Sequence, residues 1–199
     1  NVILVETVPL EFDLESLGCR LRIRPGQTKF MDRLSRLAEE AARVARPKAV
    51  ARLCGLTILD EEKVQVGEVT FSSPLLRQKM DGLERAFPYL ASEGTELADW
   101  SLSLSSSLEQ VFASALREVA VQQAENLLER TLLERYGIAQ VSAMNPGSLK
   151  VWSLEEQVPL FELLAPLPEK LGVTLLPSLM MRPEYSVSGV FFQTDSKFY

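Results

Sequence analysis

The side chains that most often carry out catalysis or bind metals are scarce in this sequence. It contains no histidine and only two cysteines, Cys19 and Cys54, which lie far apart. The lack of histidine excludes histidine-based catalytic triads, histidine general bases and histidine metal ligands. Two separated cysteines argue against a zinc or iron–sulfur site. Any chemistry must then come from carboxylates, hydroxyls, backbone groups or a bound cofactor, and we predict neither a catalytic side chain nor a metal ligand.

Two glycine-containing turns are the strongest candidates for a binding site. They are "MNPGS" at residues 144–148 and "YSVSG" at residues 185–189, and each lies beside apolar segments. A glycine has no Cβ, so a ligand can approach the backbone N–H and C=O groups closely at such a turn. The residues alone favour the simpler interpretation, in which each turn only connects two elements. Adjacent glutamates, as at Glu39-Glu40 and Glu155-Glu156, are typical of solvated helix faces and turns.

Composition and charge narrow the possible partners. The sequence is 46% apolar and 24% charged, with a net charge of −6, which is typical of a folded protein without a broad basic face for nucleic acid. Arg20, Arg22 and Arg24 alternate with apolar residues, and this predicts the solvated side of an edge strand. No apolar run reaches the ~20 residues of a membrane helix, and no secretory leader opens the sequence. We therefore expect a soluble cytoplasmic protein with reduced thiols and with neither a nucleic-acid nor a membrane partner.

The order of elements predicts an α+β domain over residues 1–199. Neighbouring strands without intervening helices indicate an antiparallel sheet with packed helices rather than a doubly wound parallel sheet. The longest helix is expected at 107–136, with a capping box at Ser107 and Gln110 and an end at Gly137. Gly67 is expected to form a bulge inside a strand. Strands are predicted within segments 2–12, 19–26, 49–59, 64–73 and 85–96, and further helices within 30–45, 74–82 and 153–164.

The second half of the sequence resembles a known family. "MNPGSLKVWSLEEQVPLFELL" followed by "LGVTLLPSLMMRPEYSVSGVFFQTDSKFY" resembles the reactivation (S-adenosylmethionine-binding) domain of cobalamin-dependent methionine synthase. The resemblance is strongest over 105–199, where "SVSG", "DSK" and an aromatic residue follow the helix at the family's spacing. It implies an α+β fold on a bent antiparallel sheet with a shallow groove for S-adenosylmethionine.

The resemblance also implies which residues line that groove. Ala143, Met144, Asn145, Pro146, Gly147 and Ser148 would form one wall, and Tyr185, Ser186, Val187, Ser188 and Gly189 the other. Gln122 would face the groove from the long helix, and Phe198 would flank it.

Several of these positions depart from the family's pattern. The family carries arginine at the place of Ala143, tyrosine at that of Ser148, glutamate at that of Gln122 and tyrosine at that of Phe198. The arginine would clamp the ligand's carboxylate, and the glutamate would attract its cationic part. Loss of one charged contact costs about 1.5–3 kcal/mol, so these changes together predict much weaker binding.

Two functions follow from the resemblance. In the first, the protein is a free-standing activation-like module that docks in trans on a corrinoid-binding methyltransferase or on methionine synthase modules. There it caps and helps to reactivate the cobalamin carried by the partner. In the alternative, it is an enzyme that still binds S-adenosylmethionine and methylates Co(I) cobalamin, supplying position rather than an acid or base. A scaffold reused for another ligand is a third interpretation. Gly189→Val is expected to abolish binding without unfolding the protein.

Overall fold

A bent antiparallel sheet forms the centre of the fold in the computed structural model, which describes residues 1–148 and 150–194. Within these residues the main sheet runs in the order β1-β2-β6-β3-β4-β5, and β10 pairs with both β6 and β7. A separate two-stranded hairpin joins β8 to β9. The strands are β1 (Val2–Val5), β2 (Lys48–Arg52), β3 (Cys54–Ile58), β4 (Lys63–Val66), β5 (Val69–Ser72), β6 (Arg85–Ser92), β7 (Val141–Met144), β8 (Thr174–Leu175), β9 (Met181–Arg182) and β10 (Ser186–Gln193).

Helices pack on this sheet and against one another. A single 3-10 turn, Leu154–Glu156, leads directly into α6. The helices are α1 (Leu14–Arg20), α2 (Thr28–Val44), α3 (Pro74–Lys79), α4 (Thr95–Ser103), α5 (Ser107–Tyr136), α6 (Gln157–Leu164) and α7 (Leu167–Leu171).

Strand β6 is the central strand of the sheet. It pairs antiparallel with β2 and β3, and with β10 on its other edge. Every residue from Ala86 to Ser92 is buried. A continuous apolar run of this kind suits a strand that is covered on both faces. One face contributes to a core with β4, β5 and α6, while the other packs under α5.

The long helix α5 has a stripe of buried side chains that recur every four positions, together with further buried residues such as Ala113. The first three members of the stripe pack against α2 and α4, and the last three pack on the sheet. Because a step of four residues exceeds one helical turn by about 40°, the stripe winds around the helix from one set of neighbours to the other. The helix ends at Gly137, which has φ +62° and donates its N–H to the Leu133 carbonyl, as expected for a left-handed C-cap. The stripe comprises Phe112, Leu116, Ala120, Ala124, Leu128 and Leu132.

The segment around Arg20, Arg22 and Arg24 is not an edge strand, so that prediction was wrong. Residues 14–20 form α1, whose first turn is capped by the Asp13 carboxylate accepting from the Ser16 N–H at 3.1 Å. Arg22 has φ +56°, which takes it out of any strand conformation. Arg20 pairs with Glu118 of α5. The backbone N–H groups of Arg22 and Ile23 donate to carbonyls of α1, so this segment closes the end of the helix instead of pairing as a strand.

Three smaller differences also have local causes. Gly67 has φ +60° and forms the tight turn of the β4–β5 hairpin rather than a bulge. Ser107 and Gln110 form no capping box, because Gln110 Nε2 donates to the Leu104 carbonyl. Helix α4 was not predicted, because only a short stretch separates β6 from α5. The segment 49–59 forms two strands, β2 and β3, and the remaining predicted strands and helices are present with shifted ends.

A buried ion pair joins α5 to the sheet. Glu93, which follows β6 directly, is fully buried, and its two carboxylate oxygens accept from Arg117 Nε and Nη2, each at 2.7 Å. Glu93 Oε1 also accepts from the Tyr185 N–H at 3.2 Å. Burial raises the pKa of Glu93, and the hydrogen bonds from Arg117 oppose that rise. The carboxylate thus links the ends of β6 and β10 to the long helix.

Glu93→Ala should destabilise the protein by about 3–5 kcal/mol, because it leaves the Arg117 guanidinium buried without its counter-charge. Urea denaturation followed by circular dichroism would measure this loss. Glu39→Ala is the matched control, because Glu39 pairs with Arg43 in an exposed ion pair on α2. The control should change the free energy of unfolding by less than about 0.5 kcal/mol. Equal effects of the two substitutions would contradict a structural role for the buried pair.

Candidate functional site

The Pro-Gly turn after β7 is held by its own backbone and by Asn145. Gly147 has φ +79°, and its N–H donates to the Trp152 carbonyl at 2.8 Å. The Ser148 hydroxyl donates to the Asn145 carbonyl at 2.7 Å. Added to Gly147, a Cβ would lie 2.8 Å from Leu154 Cδ1. Glycine is therefore required here both by its positive φ and by the packing of Leu154.

A hydrogen-bonded network connects this turn to the sheet and to α5. Asn145 Nδ2 donates to Tyr89 Oη and to the Ser188 carbonyl, both at 2.8 Å. Tyr89 Oη donates in turn to Glu125 Oε1 at 2.6 Å. We call these four residues the Tyr89 network. The Tyr89 ring is stacked on Phe191, with 4.0 Å between centroids, so packing fixes the position of its hydroxyl.

The environment determines the protonation of this network. Burial raises the pKa of Tyr89 well above its usual range, and the Glu125 carboxylate raises it further. Burial likewise raises the pKa of Glu125; the hydrogen bond from Tyr89 opposes this rise, and the charge of Glu129 adds to it. Tyr89 therefore stays a neutral donor. Glu125 is a half-buried carboxylate, and any cation placed beside it would be stabilised.

Gly189 allows the turn and the sheet to come together. A Cβ at this position would lie 2.5 Å from both Asn145 Nδ2 and the Met144 carbonyl oxygen, and 2.9 Å from Tyr89 Cε1. Two of these are groups of the β7 end that cannot withdraw without breaking the network. The expectation that Gly189→Val leaves the fold intact is corrected by this geometry, since a side chain there must push β7 away from β10.

The predicted wall residues form two groups at neighbouring positions along β10, and the first group lies where β10 pairs with β7. Val190 pairs with Met144, and Ala143 pairs with Phe191, so residues 143–145 and 188–191 are in direct contact. Ser188 is buried, and its hydroxyl accepts from Gln157 Nε2 at 3.4 Å.

The first part of the second predicted wall, residues 185–187, lies at the start of β10. The Ser186 hydroxyl donates to the Pro183 carbonyl at 2.8 Å and lies 3.0 Å from Ser92 Oγ. Val187 pairs with Ala91, and the Arg117 guanidinium lies 4.5 Å from the centre of the Tyr185 ring. These residues belong to the surroundings of the buried ion pair rather than to the Pro-Gly turn.

The other predicted site residues are placed differently. Pro146 is buried at the turn, while Gln122 is an exposed residue of α5. Phe198 lies outside the described residues. Glu125, three positions after Gln122 and hence near the same helix face, is the α5 residue that contacts the network. Sequence reasoning missed it because Tyr89 and Asn145 come from distant segments, so the position of a residue along the helix does not show whether it meets them.

Comparison with known proteins gives a structural match and no sequence match. No family model matches the sequence. No curated protein matches it either. The crystal structure of the MetH reactivation domain bound to AdoHcy matches with a TM-score of 0.68 and 17% identity, covering 100% of this chain and 80% of that one.

The chain has the fold of the MetH reactivation domain. This confirms the predicted α+β class with a bent antiparallel sheet and packed helices, and it agrees with the resemblance drawn from the sequence. At 17% identity the likeness concerns the fold alone. Throughout residues 1–148 and 150–194, no helix is both long and apolar enough to cross a membrane.

Gly189→Ala should lower the free energy of unfolding by about 1–3 kcal/mol, because its methyl group overpacks the contact with Met144 and Asn145. Gly189→Val should cost more. Urea denaturation measures both effects. Gly55→Val is the control, since Gly55 also lies in a strand but has no atom within 4 Å of an added Cβ. If Gly189→Ala and Gly55→Val were equally stable, the close approach at Gly189 would not be a constraint.

Proposed function

We propose that this protein is an activation-like module that docks in trans on a corrinoid-binding methyltransferase, caps the cobalamin of that partner and supports its return to the active state. The observation that carries the proposal is the Tyr89 network, which holds the Pro-Gly turn on a sheet with the MetH reactivation-domain fold. Cobalamin, bound by the partner, would supply the cobalt chemistry. The residues of this chain would supply a rigid capping surface.

Exposed apolar side chains lie directly beside this turn and provide a surface for docking. Val151, Leu154 and Val158 are 46%, 42% and 42% exposed. Leu154 contacts the Gly147 backbone, and Val158 follows it by four residues on a continuous helical stretch. Burial of apolar side chains at the centre of an interface favours association. We call these three side chains the docking patch.

Leu154→Asp with Val158→Asp should weaken binding of a purified methionine synthase cobalamin module at least about tenfold, because two carboxylates would be buried at the interface. Isothermal titration calorimetry with the cobalamin module in its Co(II) state measures the affinity. Val111→Asp is the control, because Val111 is an exposed apolar residue of α5 outside the patch. Binding that survives the double substitution, or that falls equally in the control, would remove the docking patch from the proposal.

A second function, binding of S-adenosylmethionine as a methyl donor, is favoured by Glu125. The family's acidic contact, assigned to Gln122 from the sequence, has a counterpart one turn away in the Tyr89 network. The Glu125 carboxylate is fixed by Tyr89 on one oxygen and lies near the charge of Glu129. These residues fit the amino and sulfonium end of S-adenosylmethionine, whose positive charge would be attracted there.

The carboxylate end of the same ligand has no equivalent clamp. The family's arginine position is Ala143, a half-buried residue of β7 that packs with the cluster under α5. The ligand would then be held mainly by its cationic end and by backbone groups of the turn. Methyl transfer would need no acid or base from the protein, only alignment of donor and acceptor.

Glu125→Gln should weaken S-adenosylmethionine binding about tenfold or more, because it removes a charged contact and keeps the size of the side chain. Calorimetric titration measures the affinity, with Glu134→Gln on the exposed part of α5 as the control. Glu125 is neutral below its raised pKa. Binding to the unsubstituted protein should therefore weaken as the pH falls through that pKa, whereas Glu125→Gln should show no such change.

Ala143→Arg tests the other end of the ligand. A guanidinium at this position should tighten binding about tenfold or more through a bidentate contact with the ligand's carboxylate.

S-adenosylhomocysteine, which lacks the sulfonium charge, should lose less affinity in Glu125→Gln than S-adenosylmethionine does. If none of the variants binds either ligand up to millimolar concentration, the methyl-donor function is wrong and docking alone remains.

A further inference from the structure

A cleft separate from the Tyr89 network opens between α4 and the β8–β9 hairpin. Its volume is about 550 Å³. Arg117 lies in its wall, and Glu184 stands beside Arg117 just before β10. The cleft and the Pro-Gly turn lie at different points along β10. Tyr185 and Gly189 are four residues apart, which is about 13 Å in a strand.

Arg117 offers unused hydrogen-bond donors to this cleft. Its Nε and Nη2 are engaged by Glu93, and the side chain is only 10% exposed. Within the described ranges, no hydrogen bond engages Nη1, and the Glu184 carboxylate lies 3.8 Å from it, beyond hydrogen-bond distance. A guanidinium held this firmly by one carboxylate is oriented to receive a second anionic group on its free edge.

The remaining walls of the cleft are largely apolar. Leu102 and Met180 are 80% and 56% exposed, which is unusual for side chains of this size. Leu176 and Met181 line the interior and are half-buried. Methionines are flexible and polarisable, so they adapt to ligands of different shape. An apolar cavity with a few fixed polar groups is the usual form of a small-molecule site.

We propose that this cleft binds a small amphipathic anion, with its carboxylate or sulfonate on Arg117 Nη1 and its apolar body against Leu102, Leu176 and Met180. Of the charged residues in the lining, Asp99, Arg182 and Glu184 are all exposed, and Arg117 alone is buried. The anion therefore meets its firmest partner at the inner end of the cleft. Glu184, whose side chain is 66% exposed, moves aside into solvent when the anion enters.

The first test changes the charge at the mouth of the cleft and measures the affinity for the fluorescent anion 8-anilinonaphthalene-1-sulfonate. Met180→Glu should weaken binding of this anion about three- to tenfold relative to Met180→Lys, because both variants lose the same apolar contact and differ only in the sign of a partly screened charge. Val111→Glu and Val111→Lys are the matched controls, because Val111 is 56% exposed as well and lies outside the cleft. Equal effects at the two positions would mean that the probe binds elsewhere and would overturn the proposal.

The anionic head group is the second test. Octanoate should displace the bound probe, and octanamide, which has the same apolar body without the charge, should displace it at least about tenfold less well. Glu184→Gln should tighten octanoate binding by removing a repulsive carboxylate, whereas Glu169→Gln on α7 should leave it unchanged. Equal displacement by the two compounds, or weaker octanoate binding in Glu184→Gln, would overturn the proposal. These outcomes do not depend on S-adenosylmethionine or on a corrinoid partner.

Discussion

The close approach at Gly189 is the constraint on which the rest of the site depends. Three groups converge where a Cβ would stand: the Met144 carbonyl, the Asn145 amide and the Tyr89 ring. Only a residue without a side chain lets β7 and β10 pair here while Asn145 reaches across to Tyr89. Because Tyr89 also holds Glu125, this close approach connects the turn and the sheet to the long helix, alongside the Glu93–Arg117 ion pair.

Periodicity predicted the elements whose packing is regular. The apolar pattern predicted a helix over 107–136, and Gly137 predicted its end; both agree with α5, since both signals are local and act in the same direction. The strand prediction around Arg22 failed because this segment closes the end of a helix that begins after Asp13. Pattern alone could not weigh those backbone hydrogen bonds against a strand whose partner was unknown.

The candidate site was predictable as a pair of turns but not as a network. Gly147 and Gly189 are visible in the sequence, and each stands where other atoms come too close for a side chain. The partners do not follow from sequence, because Tyr89, Glu125 and Asn145 come from three distant segments and meet only through the strand register. The same reason explains why Gln122 was predicted at the site and Glu125 was not. The two residues are one helical turn apart, and of these two Glu125 accepts the hydrogen bond from the Tyr89 hydroxyl.

In the proposed methyl-donor function, the two ends of the site place opposite demands on a ligand. Glu125 with Glu129 favours a positive group, while Ala143 offers no counter-charge to a negative group. A zwitterionic ligand would gain at one end and lose at the other, so its affinity would fall below that of a site with both charges. Docking through Val151, Leu154 and Val158 carries no such penalty, because apolar burial needs no matched charge. The proposed docking function therefore does not depend on a bound methyl donor.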